Sequence, residues 1–235
     1  LLWIFTCPLA VAANGIVSPL NGKILETFDT PQEYSFLVTG HIYGGEGYGN
    51  PTFLANTKKF NELDVQFFVL LGDIITLNTE LGIKRLMYGV GTNLDMPVFN
   101  APGNHDVIDR KLYVKYFGKT YFSFRCSSDL HIFLDSELSN GQVETEQLGF
   151  ISDLLDKVEH SDEIKNIFIY SHRLLWAIGN EAVDAIIPWI NGPSFHPETA
   201  TSFKEYIFPK LFTLSEKKHI HLISGDIGAS FSSIS

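Results

Sequence analysis

Short apolar runs recur along this chain, and five of them end in the same punctuation. Within three residues of the last apolar position comes a glycine, a histidine or an acid. The run at 34–38 is followed by Gly40-His41, and that at 66–71 by Gly72-Asp73. The run at 97–101 leads to Gly103-Asn104-His105-Asp106, that at 166–170 to His172, and that at 219–223 to Gly225-Asp226. A further apolar run spans 130–134. Between them lie stretches with helical periodicity at 52–63, 80–88 and 144–158; in the last, Leu148, Ile151, Leu154 and Leu155 share one face. Strands that alternate with helices specify α/β units. Ligands in such sheets gather beyond the carboxyl ends of the strands, where these polar clusters fall.

The residue types in the clusters are those of metal ligation and proton transfer. A carboxylate such as Asp73 carries two lone-pair-rich oxygens, the amide of Asn104 a neutral oxygen, and a histidine a neutral nitrogen. Such a set suits hydrolysis of a phosphate ester. That reaction needs phosphoryl charge neutralised and water made nucleophilic near neutral pH, and bound divalent metal supplies both.

The run Val69-Leu70-Leu71-Gly72-Asp73, followed by Ala101-Pro102-Gly103-Asn104-His105-Asp106, resembles the paired GD and GNHD signatures of calcineurin-like metallophosphoesterases. Asp73 and Asn104 are separated by 31 positions (104 − 73), the length of one α/β unit. Tyr170-Ser171-His172 resembles that family's next metal-binding histidine, so the likeness runs from about residue 34 to residue 228. The resemblance implies a layered α/β sandwich of mixed sheets flanked by helices. It implies that Asp73 bridges metals and that Asn104 and His172 bind the second one. It assigns His105 to the phosphoryl group or the leaving oxygen, with Asp106 orienting His105 through a hydrogen bond.

Two motifs depart from that pattern. The family opens with Asp-x-His, where this chain has Thr39-Gly40-His41. The family closes with Gly-His-x-His, where this chain has Gly225-Asp226-Ile227-Gly228. One metal could then keep Asp73, Asn104, His172 and Asp226, while another would have only His41 and the Asp73 bridge. The expectation is one or two divalent ions (Mn, Fe, Zn or Mg): a one-metal site, or a dinuclear site completed differently, fits better than the full family site. Arg173, next to His172, is a candidate clamp for a phosphate oxygen. The glycine-rich stretch 43–50 does not fit G-x-G-x-x-G and reads as a loop at the cleft rim.

Composition narrows the partners. The 235 residues are 45% hydrophobic, enough for one large core, and carry a formal net charge of −10. That charge repels polyanions, which disfavours general nucleic-acid binding, whereas a small phosphorylated substrate can meet a local dication. Residues 1–13 form an apolar run ending in small residues, like the end of a secretory signal. They are too few to span a bilayer as a helix, and no other apolar run is long enough. The expectation is a secreted, periplasmic or otherwise extracytoplasmic protein, with an extension at 14–33 packed as an edge hairpin. The main domain then covers 34–235, with 173–200 either an insertion over the cleft or a structural connection with its own small aromatic cluster. Two functions compete: metal-dependent hydrolysis of a phosphate mono- or diester, and a binding or scaffold role on an altered site. A covalent cysteine mechanism is disfavoured, since Phe124-Arg125-Cys126 lacks a phosphate-cradling loop.

Overall fold

The computed structural model describes residues 11–12, 15–27, 33–44, 49–138, 145–177 and 201–226. Most of the signal-like segment, most of the 173–200 insertion and Gly228 lie outside the described residues.

Two sheets face each other and each carries helices on its outer side, giving four layers. The first sheet is parallel, in the order β4 (Phe36–Thr39), β5 (Phe67–Leu70), β6 (Val98–Asn100). The second has the order β10 (His219–Ser224), β9 (Asn166–Ser171), β8 (Asp129–Phe133), β7 (Phe122–Cys126). In it β10, β9 and β8 run parallel and β7 pairs antiparallel to β8. The mixed α/β sandwich expected from the sequence is the architecture observed.

Strand alternation explains the apolar runs. In β5, Phe67 and Val69 face the opposite sheet, while Phe68 and Leu70 face helices. Both faces are dry, so every position is apolar. The layer between the sheets is aromatic, built from Phe67, Phe99, Phe122, Phe124, Phe133 and Tyr170. Outside the first sheet lie α1 (Pro51–Asn61), α2 (Glu80–Leu86) and α3 (Arg110–Phe117). Outside the second lie α4 (Thr145–Glu159) and α5 (Phe208–Leu214), the latter preceded by a π-helical turn at Phe203–Ile207. Asn50 starts α1 by accepting from the Thr52 amide at 2.8 Å, with Pro51 at the first helical position. The helix expected at 80–88 passes from α2 into a π-helical turn at Met87–Gly91.

The 14–33 segment contributes β2 (Gly15–Val17) and β3 (Ile24–Glu26), an antiparallel hairpin joined by β1 (Val11–Ala12) into a separate small sheet. Its Ser18 hydroxyl donates to the Val98 carbonyl at 2.6 Å and accepts from the Val98 amide at 3.1 Å. The hairpin thereby covers the open edge at β6, which would otherwise present unpaired backbone groups.

Candidate metal centre

The carboxyl ends of β4, β5, β6, β9 and β10 meet at one end of the sandwich, and the loops that leave them are tightly stacked. Gly72 has φ +81°, and a Cβ there would lie 2.5 Å from His172 Nδ1 and 2.6 Å from the Gly103 amide nitrogen. A Cβ on Gly103 would lie 2.4 Å from the Asp73 amide nitrogen and Oδ1. Only glycine permits this approach. His41 and Asp73 adopt left-handed backbone at φ 51° and 52°, a conformation that costs energy for residues with a side chain. Hydrogen bonds hold both: His41 N donates to Gly72 O and Tyr43 N to Asp73 O, each at 3.1 Å.

Each of the three histidines spends Nδ1 on a backbone carbonyl. His41 donates to Gly225 O at 3.1 Å, His172 to Leu71 O at 2.8 Å, and His105 to Thr76 O at 2.9 Å. A carbonyl only accepts, so Nδ1 carries the proton and the neutral ring keeps its lone pair on Nε2. Second partners of this kind orient metal-binding imidazoles.

The Nε2 atoms of His41 and His172 point at carboxylates. His41 Nε2 lies 3.3 Å from Asp73 Oδ2 and 3.6 Å from Asp226 Oδ1. His172 Nε2 lies 3.6 Å from Asp73 Oδ1, 3.8 Å from Asp226 Oδ2 and 3.2 Å from Asn104 Oδ1. One ligand atom each from His41, His172 and Asp226 falls within 4.8 Å of the others. Lone pairs thus face lone pairs in a pocket where His172, Asp73 and Asp226 are buried. Two resolutions exist: a proton on an imidazole, or a divalent cation. The Asp73 hydrogen bond pulls the His41 pKa above its ordinary value, against burial. Burial pushes the Asp73 carboxyl up, and the hydrogen bond from His41 together with nearby His172 more than reverses this, leaving it below the usual range. A dication satisfies all these donors at once, so the residues present fit a metal.

The structure brings together Asp73, Asn104, His41, His172 and Asp226, with His105 alongside. The His105 amide donates to Asp73 Oδ1 at 3.1 Å, and its ring stacks on Tyr43 at 5.2 Å with 25° between planes. The His105 imidazole is half-buried, with Nδ1 on the Thr76 carbonyl.

Two placements correct the sequence expectations. Asp106 does not orient His105, whose Nδ1 is taken by Thr76 O. Asp106 is fully buried and ties two loops together: Oδ1 accepts from the Ile74 and Ile75 amides at 2.9 and 3.2 Å, and Oδ2 from the Gly103 amide at 2.8 Å. Burial pushes its pKa up to about 7 while those amides pull it down. Arg173 does not reach outward as a clamp. It is buried, donating to Glu137 through Nε at 2.8 Å and Nη2 at 3.1 Å, and to Asp226 Oδ2 through Nη1 at 2.8 Å. Thr39 closes β4 and brings no carboxylate. Cys126 is buried in the aromatic layer, with its thiol pushed up to about 12 by burial.

Sequence reasoning missed Glu137, which carries no motif. It also missed Asn100, whose Oδ1 accepts from the Gly72 amide at 3.3 Å and whose Nδ2 donates to Tyr113 Oη at 3.1 Å. A buried asparagine at the end of an apolar strand was the available signal for the latter.

No known family profile matches the chain, and no curated protein sequence matches it. Among solved structures, it is similar to purple acid phosphatase PPD1 from yellow lupin (Lupinus luteus) seeds, at 18% identity and a TM-score of 0.41. That match covers 62% of this chain and 32% of the phosphatase chain. It is also similar to GAP50, the anchor in the inner membrane complex of Plasmodium, at 13% identity and a TM-score of 0.49. There the match covers 80% of this chain and 64% of the other, so in both cases this chain spans less than two thirds of its neighbour.

Proposed function

We propose that this chain is a calcineurin-like metallophosphoesterase that hydrolyses a small phosphate mono- or diester with a divalent metal held at the strand ends. The observation that carries the reading is the convergence of the His41 and His172 Nε2 atoms on the Asp73 and Asp226 carboxylates, with each Nδ1 spent on a carbonyl. Asp73, His41, His172, Asp226 and Asn104 are the residues that would hold metal. His41, His172 and Asp226 share one cluster rather than dividing between two, which favours a single ion. When bound, such an ion neutralises phosphoryl charge and lowers the pKa of water toward neutrality.

The protein's own groups supply the rest. In its imidazolium form His105 keeps Nδ1–H on Thr76 O and presents Nε2–H to the departing ester oxygen, which leaves as the alcohol. Tyr43 stacks on the His105 ring and restrains its plane. Asp106 holds the loops of Asp73 and Gly103 in register, and so acts on the reaction through position.

The test is turnover of a chromogenic phosphate diester, and of the matching monoester, by the purified protein with Mn²⁺. Turnover that falls by a factor of 10² or more in Asp73→Asn supports the reading. No turnover of any ester in a broad panel overturns it.

A second reading, a binding or scaffold module on the same fold, has its own support. Thr39 stands where the resembled family has a carboxylate, and Asp226 already carries an ion pair with Arg173. Stoichiometric metal in the purified protein counts against that reading, and its absence counts for it.

A further inference from the structure

A row of three charged side chains leads from Glu137, which lies outside any motif, through Arg173 to Asp226, one of the proposed metal ligands. We propose that Glu137 is a positioning residue which, through Arg173, holds Asp226 in the orientation needed to ligate a cation. This rests on the metal-binding reading above and adds a specific device to it.

The geometry is that of a clamp. Glu137 takes two parallel bonds from the guanidinium, Nε to Oε1 at 2.8 Å and Nη2 to Oε2 at 3.1 Å. Such forked pairs fix the plane of both groups. The remaining Nη1 reaches Asp226 Oδ2 at 2.8 Å, while Asp226 Oδ1 faces His41 Nε2 at 3.6 Å. The backbone adds to this, since the Arg173 amide donates to Ser136 Oγ at 3.0 Å and the Asp226 amide to His172 O at 2.8 Å. The anchoring loop is pinned too: Arg110 donates to the Glu137 carbonyl at 3.2 Å and pairs with Asp135. The Arg173 and Asp226 side chains are each 8% exposed and that of Glu137 is 10% exposed, so the row is shielded from solvent screening.

Charge accounts for the presence of both partners. An arginine alone beside Asp226 would repel a dication and draw the carboxylate away from it. With Glu137 paired to it, the guanidinium orients Asp226 while adding no net charge to the site. The carboxylate that stands where the resembled family has a histidine is thus positioned by a local device rather than by a rigid ring.

Two substitutions and a double variant separate positioning from charge and from structure. Mn²⁺ affinity and stoichiometry are read by titration calorimetry, with bound Mn²⁺ followed by electron paramagnetic resonance. Folding is monitored by the thermal midpoint without metal. The wild-type chain is expected to bind about one Mn²⁺. Arg173→Lys keeps the charge but loses the fork, and is expected to lower affinity about 10- to 100-fold. Glu137→Gln leaves the guanidinium uncompensated and is expected to lower it at least as much. Glu137→Gln with Arg173→Met restores neutrality without the clamp, so affinity stays low if position is what matters. Wild-type affinity in Arg173→Lys or in the double variant overturns the inference and leaves the metal reading intact. If the wild-type chain binds no Mn²⁺, the metal reading fails and this inference with it. If Glu137→Gln does not fold, Arg173→Lys alone decides the question.

Discussion

At the scale of single residues, the proposed reading separates holding a cation from handling a substrate. His105 touches the Asp73 carboxylate only through its backbone amide, and its ring is oriented by Thr76. His105→Ala is therefore expected to leave Mn²⁺ affinity nearly unchanged and to lower kcat by about 10² to 10⁴. His172→Ala removes a buried nitrogen between Asp73 and Asp226, and is expected to abolish stoichiometric Mn²⁺ binding. Calorimetry and steady-state kinetics on both variants check the division. Equal losses of metal in both would contradict it.

Motif spacing made Asp73, Asn104, His105 and His172 legible because each follows directly from a buried strand. The roles of Asp106 and Arg173 were not legible, because both depend on which neighbour wins a hydrogen bond across the fold. Thr76 took the His105 nitrogen, and Glu137, which no pattern marks, took the arginine.

At the scale of elements, the loops after β5 and β6 act as one unit, tied by Asp106 and allowed to touch by Gly103. Asp106→Ala leaves the Ile74, Ile75 and Gly103 amides without their acceptor in a dry setting. The expected cost is about 3 kcal/mol of stability, measured by chemical denaturation. Gly103→Ala pushes a methyl group into the Asp73 amide and carboxylate. It is expected to weaken Mn²⁺ binding although no ligand is changed; an unaltered affinity would show that the two loops are not coupled.

Six of the strands and three of the helices were readable from apolar runs and helical faces. The strand β7 was missed although Phe122, Phe124 and Cys126 alternate with Ser123 and Arg125, because no polar cluster follows it. The helix α3 was missed despite Asp109, whose side chain accepts from the Leu112 amide at 3.0 Å, and despite the closing Gly118 at φ +77°.

At the scale of the molecule, the two sheets are joined by an aromatic layer with one histidine inside it. His131 is stacked between Phe124 and Phe168, each ring 5.0 Å away, and bonded to Tyr34 Oη at 2.8 Å and Tyr170 Oη at 3.0 Å. Burial pushes its pKa down from 6.5 to about 3, so the folded chain holds it neutral. The unfolded chain binds the proton first on acidification. The stability that neutral His131 contributes is full above about pH 6.5 and is lost as pH falls toward 3, on the order of 5 kcal/mol. His131→Gln is expected to flatten the pH dependence of the denaturation midpoint between pH 7 and 4. An unchanged slope would place the acid sensitivity elsewhere.

The central claim is that side chains far apart in sequence share one cation at the strand ends. Anomalous X-ray diffraction from Mn²⁺-soaked crystals, recorded at the manganese edge, tests it directly. The account predicts a peak within bonding distance of Asp73 and the Nε2 atoms of His41 and His172. A well-soaked crystal with no peak there, or with its metal bound elsewhere, would contradict it.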